Sequence, residues 1–487
     1  MTLPRAATAD PDPLVAGPDR HDWWVLAVSL SASVMAIFDL FVVNIALPQI
    51  RAGLHAGDAE VELVVSGYAL AYAAGLITGG RLGDRFGYRR VFAVGMAGFT
   101  VASLLCAIAQ TAGELVAARI AQGLAAAVMV PQVLSLVTVT FPPAHRGRAT
   151  AWYGVASGVA SLAGQIGGGL LLDWNIAGLG WRVIFLVNVP IGCAAVGLAL
   201  RSLPATRGRA ARVDPIGATT ITAVMALILV PLAVGRHEGW PPWVWGCLGA
   251  AAVAAPVIVG WQAALGRQGA EPIIDTRLFT NRPYTLLLSA CSFFQAYFGC
   301  FMFTLSMLLQ LGLGESANRA SLMFACQGVL FTATSLRSAR LASRHGSRVP
   351  VIGAALVIAG LAALAAELAA GDPGTAELIA ALGVVGAGNG LLLPPLLGAA
   401  LVPVGAAQAG AASGLLNTAQ QFANSLGVAV IGTVFFAVAG SGVADAARGM
   451  QAVIAIYAVL VVALTPLVRL GWPAPVSAPA IPPARAG

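Results

Sequence analysis

The chain has 487 residues, of which 58% are hydrophobic and only 10% charged, against about 25% charged in an ordinary soluble domain; a soluble globular enzyme is excluded. At about 20 residues per membrane-crossing helix, the apolar residues are material for roughly 14 spans. The formal charge of +7 does not describe a nucleic-acid surface, because the 27 basic residues are all arginine and fall in short stretches between apolar runs, a distribution that reports topology.

The first 22 residues hold four acids against two arginines, unlike a secretory leader. The apolar run that follows is long and carries Asp39 and Asn44, so it is expected to remain as a helix. Apolar runs place spans at 23–47, 62–82, 91–110, 115–140, 150–172, 183–201, 215–235, 243–264, 284–309, 318–338, 349–370, 376–402, 411–438 and 450–471. With the N-terminus in the cytoplasm, 21 arginines lie in cytoplasmic segments, only Arg51, Arg182, Arg236, Arg319 and Arg448 lie outside, and Arg119 is inside a span. That bias sets an even number of spans with both termini cytoplasmic, in the inner (plasma) membrane.

The chain also repeats itself. RLGDRFGYR from Arg81 recurs as RLASRHGSR from Arg340, an offset of 259, with Ser343 in the place of Asp84. At an offset of 263, Glu114, Leu115, Gly123, Pro131, Gly147 and Gly164 correspond to Glu377, Leu378, Gly386, Pro394, Gly410 and Gly427. Six spans occupy only residues 23–201, so the excess length is an insertion of two spans. The expected organisation is an N-terminal tail (1–22), a six-helix bundle (23–201), two inserted helices with their loops (202–283), a second six-helix bundle (284–471) and a C-terminal tail (472–487). Parallel halves of this kind are a transporter design, with the substrate site near the midplane between them.

Asp39 is expected to be the only acid well inside a span, where the cost of an unpaired carboxylate favours taking up a proton and makes it a candidate proton carrier. Arg119, the only arginine deep in a span, has three open roles: partner of Asp39, anion binder, or modulator of proton release. The fifth span carries a small and polar stripe, Gly154, Ser157, Gly158, Ser161 and Gln165, suited to close helix contact. Asn417, Gln420, Gln421 and Asn424 share one face of the thirteenth span and line either a cavity or an interface between the halves. Phe294, Tyr297, Phe298 and Phe301 form an aromatic face on the ninth span, and Tyr68 and Tyr72 share a face of the second; these either pack or bind flat amphipathic compounds. The charged group at the end of the second span, with Asp84 among its arginines, reads as a latch made in one conformation and broken in another. The six cysteines lie within apolar segments without metal-ligand spacing, and the five histidines are scattered over loops, so no metal or cofactor is expected.

GRLGDRFGYRR (Gly80 to Arg90) resembles the major facilitator superfamily signature G-x-x-x-D-R-x-G-x-R-R, in which Gly80, Asp84, Arg85, Gly87, Arg89 and Arg90 are the matching positions. DLFVVNIALPQI (Asp39 to Ile50), LVAARIAQG (Leu115 to Gly123), AGQIGGG (Ala163 to Gly169), WRVIFLVNVPIG (Trp181 to Gly192) and NTAQQFANSLGVAV (Asn417 to Val430) resemble its fourteen-helix drug:proton antiporter branch. The resemblance implies an all-α membrane fold of two six-helix bundles plus two inserted helices, and proton coupling. It also implies an antiporter-like fifth helix at Gly164, Gln165, Gly168 and Gly169. Two positions depart from it: Gln165 stands where the branch has proline, and Phe41 where it has a small hydroxyl residue.

The function expected is proton-coupled export of small amphipathic molecules by alternating access, with an antibiotic or related metabolite as cargo; a solute:proton symporter on the same scaffold is the alternative. No catalytic cluster, nucleotide loop or long extramembrane segment speaks for an enzyme or a sensor. The expected partners are a small-molecule substrate, protons and the lipid bilayer, with no nucleic acid, and the working unit is a monomer. Thiol labelling tests the topology: cysteines introduced at Arg146, Arg207 and Arg344 should react only from the cytoplasm, and those at Asp58, Glu238 and Asp445 only from outside. Opposite labelling of the loops flanking the seventh and eighth spans would contradict the fourteen-span arrangement.

Overall fold

A computed structural model describes residues 19–205, 215–235, 238–268, 275–371, 374–404, 409–439 and 443–473. Most of the expected tails and parts of the insertion, including Arg207, Arg209 and Arg212, lie outside the described residues. Within them the regular structure is helical throughout: α1 (Arg20–Leu54), α2 (Asp58–Phe86), α3 (Tyr88–Ile108), α4 (Ala112–Thr140), α5 (Pro143–Trp174), the short α6 (Val183–Leu186), α7 (Asn188–Ser202), α8 (Pro215–Val234), α9 (Pro242–Arg267), α10 (Arg282–Met307), α11 (Ala317–His345), α12 (Arg348–Ala370), α13 (Thr375–Leu401), α14 (Ala409–Val438) and α15 (Val443–Gly471). Counting α6 with α7, each of the fourteen expected spans is a helix among the described residues. Twelve are long and apolar enough to cross a membrane by themselves. The other two are α8, whose apolar stretch runs Thr219–Leu232, and α11, whose last turns carry Arg337, Arg340, Arg344 and His345.

Helix ends follow capping chemistry more closely than hydropathy. Asp19 and Asp22 form a reciprocal capping box that starts α1 before the apolar run begins. Thr111, Asn281 and Ser316 cap α4, α10 and α11 through their side chains. Helicity continues beyond the lipid-facing run until such a signal appears, so α1 and α11 exceed the expected 23–47 and 318–338. The α2–α3 reversal turns on Gly87 alone, at φ 89°, a conformation that costs glycine little and other residues more.

The repeat reappears in the packing. α2 packs on α4, α3 on α4 and α7, and α1 on α5; equivalently, α11 packs on α13, α12 on α13 and α15, and α10 on α14. The two sets meet where α2 lies against α14, α5 against α11 and α1 against α10. α8 and α9 pair with each other, and α8 also rests on α2 and α14.

Lipid supplies no hydrophobic drive between helices, so close backbone approach at small residues carries the association. A Cβ at Gly123 would run into the Tyr68 carbonyl of α2, and one at the repeat-related Gly386 would run into the Gln327 carbonyl of α11. Gly164 meets the Phe38 carbonyl of α1 just as Gly427 meets the Ala296 carbonyl of α10. Because backbone cannot step aside as a side-chain tip can, Gly123→Val and Gly386→Val should each lower stability by at least about 1–3 kcal/mol, read as loss of folded protein in detergent melting. Equal loss from the two would follow from their equivalent contacts.

Candidate functional site

Asp39 in the middle of α1 and Arg119 in α4 are 0% and 1% exposed, and they form an ion pair between Arg119 Nη1 and Asp39 Oδ2. Arg119 also donates from Nη1 to Gln122 Oε1 at 2.7 Å and from Nε to the Val64 carbonyl of α2 at 3.0 Å. Gln122 lies three residues on, on the same face of α4. Its amide nitrogen donates to Asp39 Oδ1 at 2.9 Å and to Ser103 Oγ of α3 at 2.9 Å. Asn188 at the start of α7 donates to the same Asp39 oxygen at 3.3 Å. Five helices thus converge on one carboxylate and one guanidinium. The guanidinium also lies over the Tyr68 ring, 4.3 Å from its centroid, with Phe185 at 5.9 Å, where ring quadrupoles favour a cation.

The cluster is electrically neutral while Asp39 is ionised. A proton on Asp39 would leave it with a net positive charge and convert an acceptor-only group into a donor, so proton exchange there must rearrange hydrogen bonds shared by five helices. Of the polar members, Gln122 could have been inferred from its spacing to Arg119. Ser103 and Asn188 carry no local signal. Asp39 is not the only acid buried in the spans, as its apolar surroundings led one to expect: Glu62 in α2 is 2% exposed. It stands close to the start of its apolar run, where hydropathy alone does not separate a solvated first turn from a packed one.

The charged loop from Gly80 to Arg90 is arranged around the α2–α3 reversal. Asp84 and Arg85 are exposed in the last turn of α2, Gly80 faces Pro131 of α4, and Gly87 makes the turn. The Tyr88 hydroxyl donates to Asp84 Oδ1 at 2.7 Å, and Arg89 Nη1 reaches the Leu203 carbonyl beyond the end of α7 at 3.4 Å. Arg85 lies over the Phe86 ring and Arg90 is exposed. In the related loop after α11, Ser343 Oγ turns back to the Arg340 carbonyl, and a cavity of about 510 Å³ opens among Arg337, Arg340, Leu341, Ser343 and Arg344.

α5 is packed closely on both sides. Gly164 and Gly168 contact Phe38, Phe41, Val42 and Ile45 of α1, whereas Gly169 meets Ser321 and the Ala317 carbonyl of α11. Gln165 is buried, donates to Ser161 Oγ at 3.3 Å and points its carbonyl oxygen toward Gly328 of α11. Tyr68 and Tyr72 stack at 6.2 Å, which adds an aromatic wall to the Asp39–Arg119 cluster.

The aromatic face of α10 is turned mainly into its own half. Phe294, Tyr297 and Phe301 are each 0% exposed; Tyr297 and Phe301 pack on Tyr457 of α15 at 5.6 and 5.9 Å. Phe298 reaches the other set, edge-on to Phe41 at 6.4 Å. The four amides of α14 are divided: Asn417 is exposed, Gln421 half-buried, and Gln420 and Asn424 buried, the last against Gly299 of α10.

Apolar helices that pack as two repeated sets, with a charged cluster held within one of them, define a membrane transporter. The chain belongs to the Major Facilitator Superfamily, which residues 29–428 match. It is 36% identical over 441 residues to the probable actinorhodin transporter of Streptomyces coelicolor, covering 88% of this chain and 76% of that protein. Puromycin resistance protein pur8 of Streptomyces alboniger is 34% identical over 438 residues, 88% of this chain and 85% of its own. Cephamycin export protein CmcT of Amycolatopsis lactamdurans is 35% identical over 430 residues, 84% of each. Among solved structures, an auto-inhibited POT family peptide transporter superposes with a TM-score of 0.70 at 18% identity, over 95% of this chain and 99% of its own. A bacterial homolog of the human lysosomal transporter Spinster, inward-facing and unoccupied, gives 0.66 at 16% identity over 94% and 100%. At such identities the likeness is one of fold.

A buried pair broken on one side strands a charge, at a cost of about 3–5 kcal/mol, whereas replacing both partners by apolar residues is often close to neutral. Arg119→Met should therefore melt well below the parent protein in detergent, and the double variant Asp39→Leu, Arg119→Met should recover most of that loss. Additive losses would mean that the two groups do not act as a pair.

Proposed function

We propose that the protein is a proton-coupled exporter of small amphipathic compounds of the antibiotic class, working by alternating access between bundles formed by residues 23–201 and 284–471, with 202–283 as an inserted pair of helices. The observation that carries the reading is the Asp39–Arg119 cluster. A carboxylate of α1 held by hydrogen bonds from α4 and α7 is a site at which one proton changes the bonding of a whole bundle. Alternating access needs such a link between an ion and a rigid-body rearrangement. The names of the similar proteins, which include an actinorhodin transporter, a puromycin resistance protein and a cephamycin export protein, support export of this kind of cargo.

In this reading Asp39 is the proton carrier and Arg119 tunes it. While Asp39 is ionised, Arg119 holds α1 against α4; when Asp39 is protonated, the guanidinium retains the Val64 carbonyl and the Tyr68 ring as alternative partners. Gly80, Asp84, Arg85, Gly87, Arg89 and Arg90 act as the latch. The Arg89 contact with the Leu203 carbonyl beyond α7 ties the α2–α3 reversal to its own bundle. Tyr68, Tyr72, Phe294, Tyr297, Phe301, Asn417, Gln420, Gln421 and Asn424 are the cavity candidates, and the scarcity of buried acids favours neutral or singly charged cargo. The arginine bias supports cytoplasmic termini in the plasma membrane, with the α1–α2 turn outside, and the unit is a monomer. Gln165 in place of proline keeps open a symporter on the same scaffold, which the direction of counterflow distinguishes.

The test is substrate-dependent proton release and efflux in inverted vesicles. Asp39→Asn mimics the protonated carboxyl, so gradient-driven export should fall to background while substrate exchange without net proton movement survives. Full proton release from folded Asp39→Asn protein would remove Asp39 from the mechanism.

A further inference from the structure

The repeat-related loops after α2 and after α11 use their arginines differently. In the first, Asp84 contributes a negative charge, Arg85 lies over the Phe86 ring and Arg89 reaches the Leu203 carbonyl. In the second, Ser343 stands in the place of Asp84, and Arg337, Arg340 and Arg344 are all exposed. Arg337 Nη1 donates to the Ala333 carbonyl of its own helix at 3.2 Å. None of the three forms an ion pair among the described residues. Arg340 follows Arg337 by three residues and precedes Arg344 by four, so the three guanidiniums are neighbours on the helix surface, a spacing at which like charges destabilise a helix.

These side chains share a cavity. Arg337, Arg340, Leu341, Ser343 and Arg344 line a space of about 510 Å³, within the range of about 300–1,000 Å³ that small-molecule sites occupy. That lining holds three positive charges, one hydroxyl and no acid. Ser343 Oγ donates to the Arg340 carbonyl at 2.8 Å, a bond inside one helical turn that an ionised oxygen can take over. The border of the cavity is apolar. Leu341 is 38% exposed, and Leu336, which shares a face with Arg340 and Ser343 at helical spacing, is 70% exposed.

Arginine has two ordinary uses at such a place. Near a helix C-terminus it complements the dipole, and at the end of a span it sets topology and extends to the interface. Both act one charge at a time, and neither calls for a common cavity or for the loss of the acid that the related loop keeps. A phosphate accounts for both features, because guanidinium groups bind its oxygens in two-point hydrogen bonds and a carboxylate in the same cavity would repel it. A free phosphate compound would leave Leu336 and Leu341 unused, whereas the acyl chains of a lipid would cover them.

We propose that the cavity at the end of α11 binds the phosphate of one anionic phospholipid, with Arg337, Arg340 and Arg344 on its oxygens and an acyl chain along Leu341 and Leu336. The lipid phosphate supplies this loop with the negative charge that Asp84 supplies to the other. A headgroup that carries no cation, such as phosphatidylglycerol, fits the three arginines. The ammonium of phosphatidylcholine is repelled by them. That the lipid belongs to the cytoplasmic leaflet rests on the orientation proposed above; the binding itself does not.

The test is melting of the purified full chain in neutral detergent, titrated with dioctanoyl phosphatidylglycerol, dioctanoyl phosphatidylcholine or inorganic phosphate. Phosphatidylglycerol should raise the melting temperature in a saturable way, with an apparent Kd at least about fivefold lower than either of the others. Ser343→Asp, which restores the acid of the related loop, and Arg344→Gln should each weaken it at least about fivefold, the factor to which about 1 kcal/mol per charge converts. Arg201→Gln, at an exposed arginine in the last turn of α7, should leave it unchanged. The proposal is overturned by the lack of a saturable rise or by equal binding of phosphatidylcholine. Equal binding of inorganic phosphate would make this a site for free anions, and equal loss in Arg201→Gln would make the effect one of overall charge; either overturns it too. A measurement on the parent protein guards against a misfolded variant. In nanodiscs that contain phosphatidylglycerol, peptides covering 336–348 should exchange hydrogen at least about threefold more slowly than in phosphatidylcholine alone, and peptides covering 80–90 should be slowed less. No slowing, or the same slowing in both loops, also overturns it. None of these readouts involves transport, so efflux in vesicles judges the export reading independently.

Discussion

In hydrocarbon a charge or a backbone polar group has no water to fall back on, so every one must find its partner inside the protein. Arg119 and Asp39 show how far that constraint reaches. One guanidinium and one carboxylate recruit Gln122, Ser103, Asn188 and the Val64 carbonyl, and thereby fix the relative positions of α1, α2, α3, α4 and α7. The same demand makes the cluster responsive. A group whose bonds are all spoken for cannot change its protonation without others changing theirs.

The rest of the bundle is held by a different means. Apolar side chains gain little from leaving lipid for one another, so the helices associate where glycine lets one backbone reach the next. The pairs Gly123 with Tyr68 and Gly386 with Gln327, and Gly164 with Phe38 and Gly427 with Ala296, show one solution used twice. The halves nevertheless diverge where charge is concerned. Arg119 and Gln122 correspond to Leu382 and Val385 at the 263-residue offset, so the second set contains apolar packing where the first contains the ion pair.

This asymmetry separates rigid from labile regions. Within each set, backbone contacts at glycine and the large buried aromatics, such as Tyr297 and Phe301 on Tyr457, allow little adjustment. Between the sets, the seam at the α1–α2 end depends on hydroxyl and amide donors to carbonyls, Ser306 and Gln310 of α10 to Asn44 and Ile45 of α1, bonds that water can replace.

The amino-acid sequence by itself determined that the chain is a membrane protein, the number and order of its helices, the repeat, and two of the buried charges of the first half, Asp39 and Arg119. These are properties of local composition and spacing, which the bilayer reads directly. Only the tertiary structure decided which groups meet. Asp39 and Arg119 are 80 residues apart in the chain, and Ser103 and Asn188 join them from helices whose own patterns give no hint of it. Helical periodicity put Phe294, Tyr297 and Phe301 on one face but not what that face would touch, and α15 supplies the answer. Asp84, expected at a neighbouring helix end, is met by Tyr88 across the Gly87 reversal. Glu62 read as part of a helix start until Gly432 of α14 and Phe303 of α10 closed over it. In each case the missing information was the rotation of one helix against another, which is set by where glycines permit contact and so belongs to pairs of helices and to no single stretch of sequence.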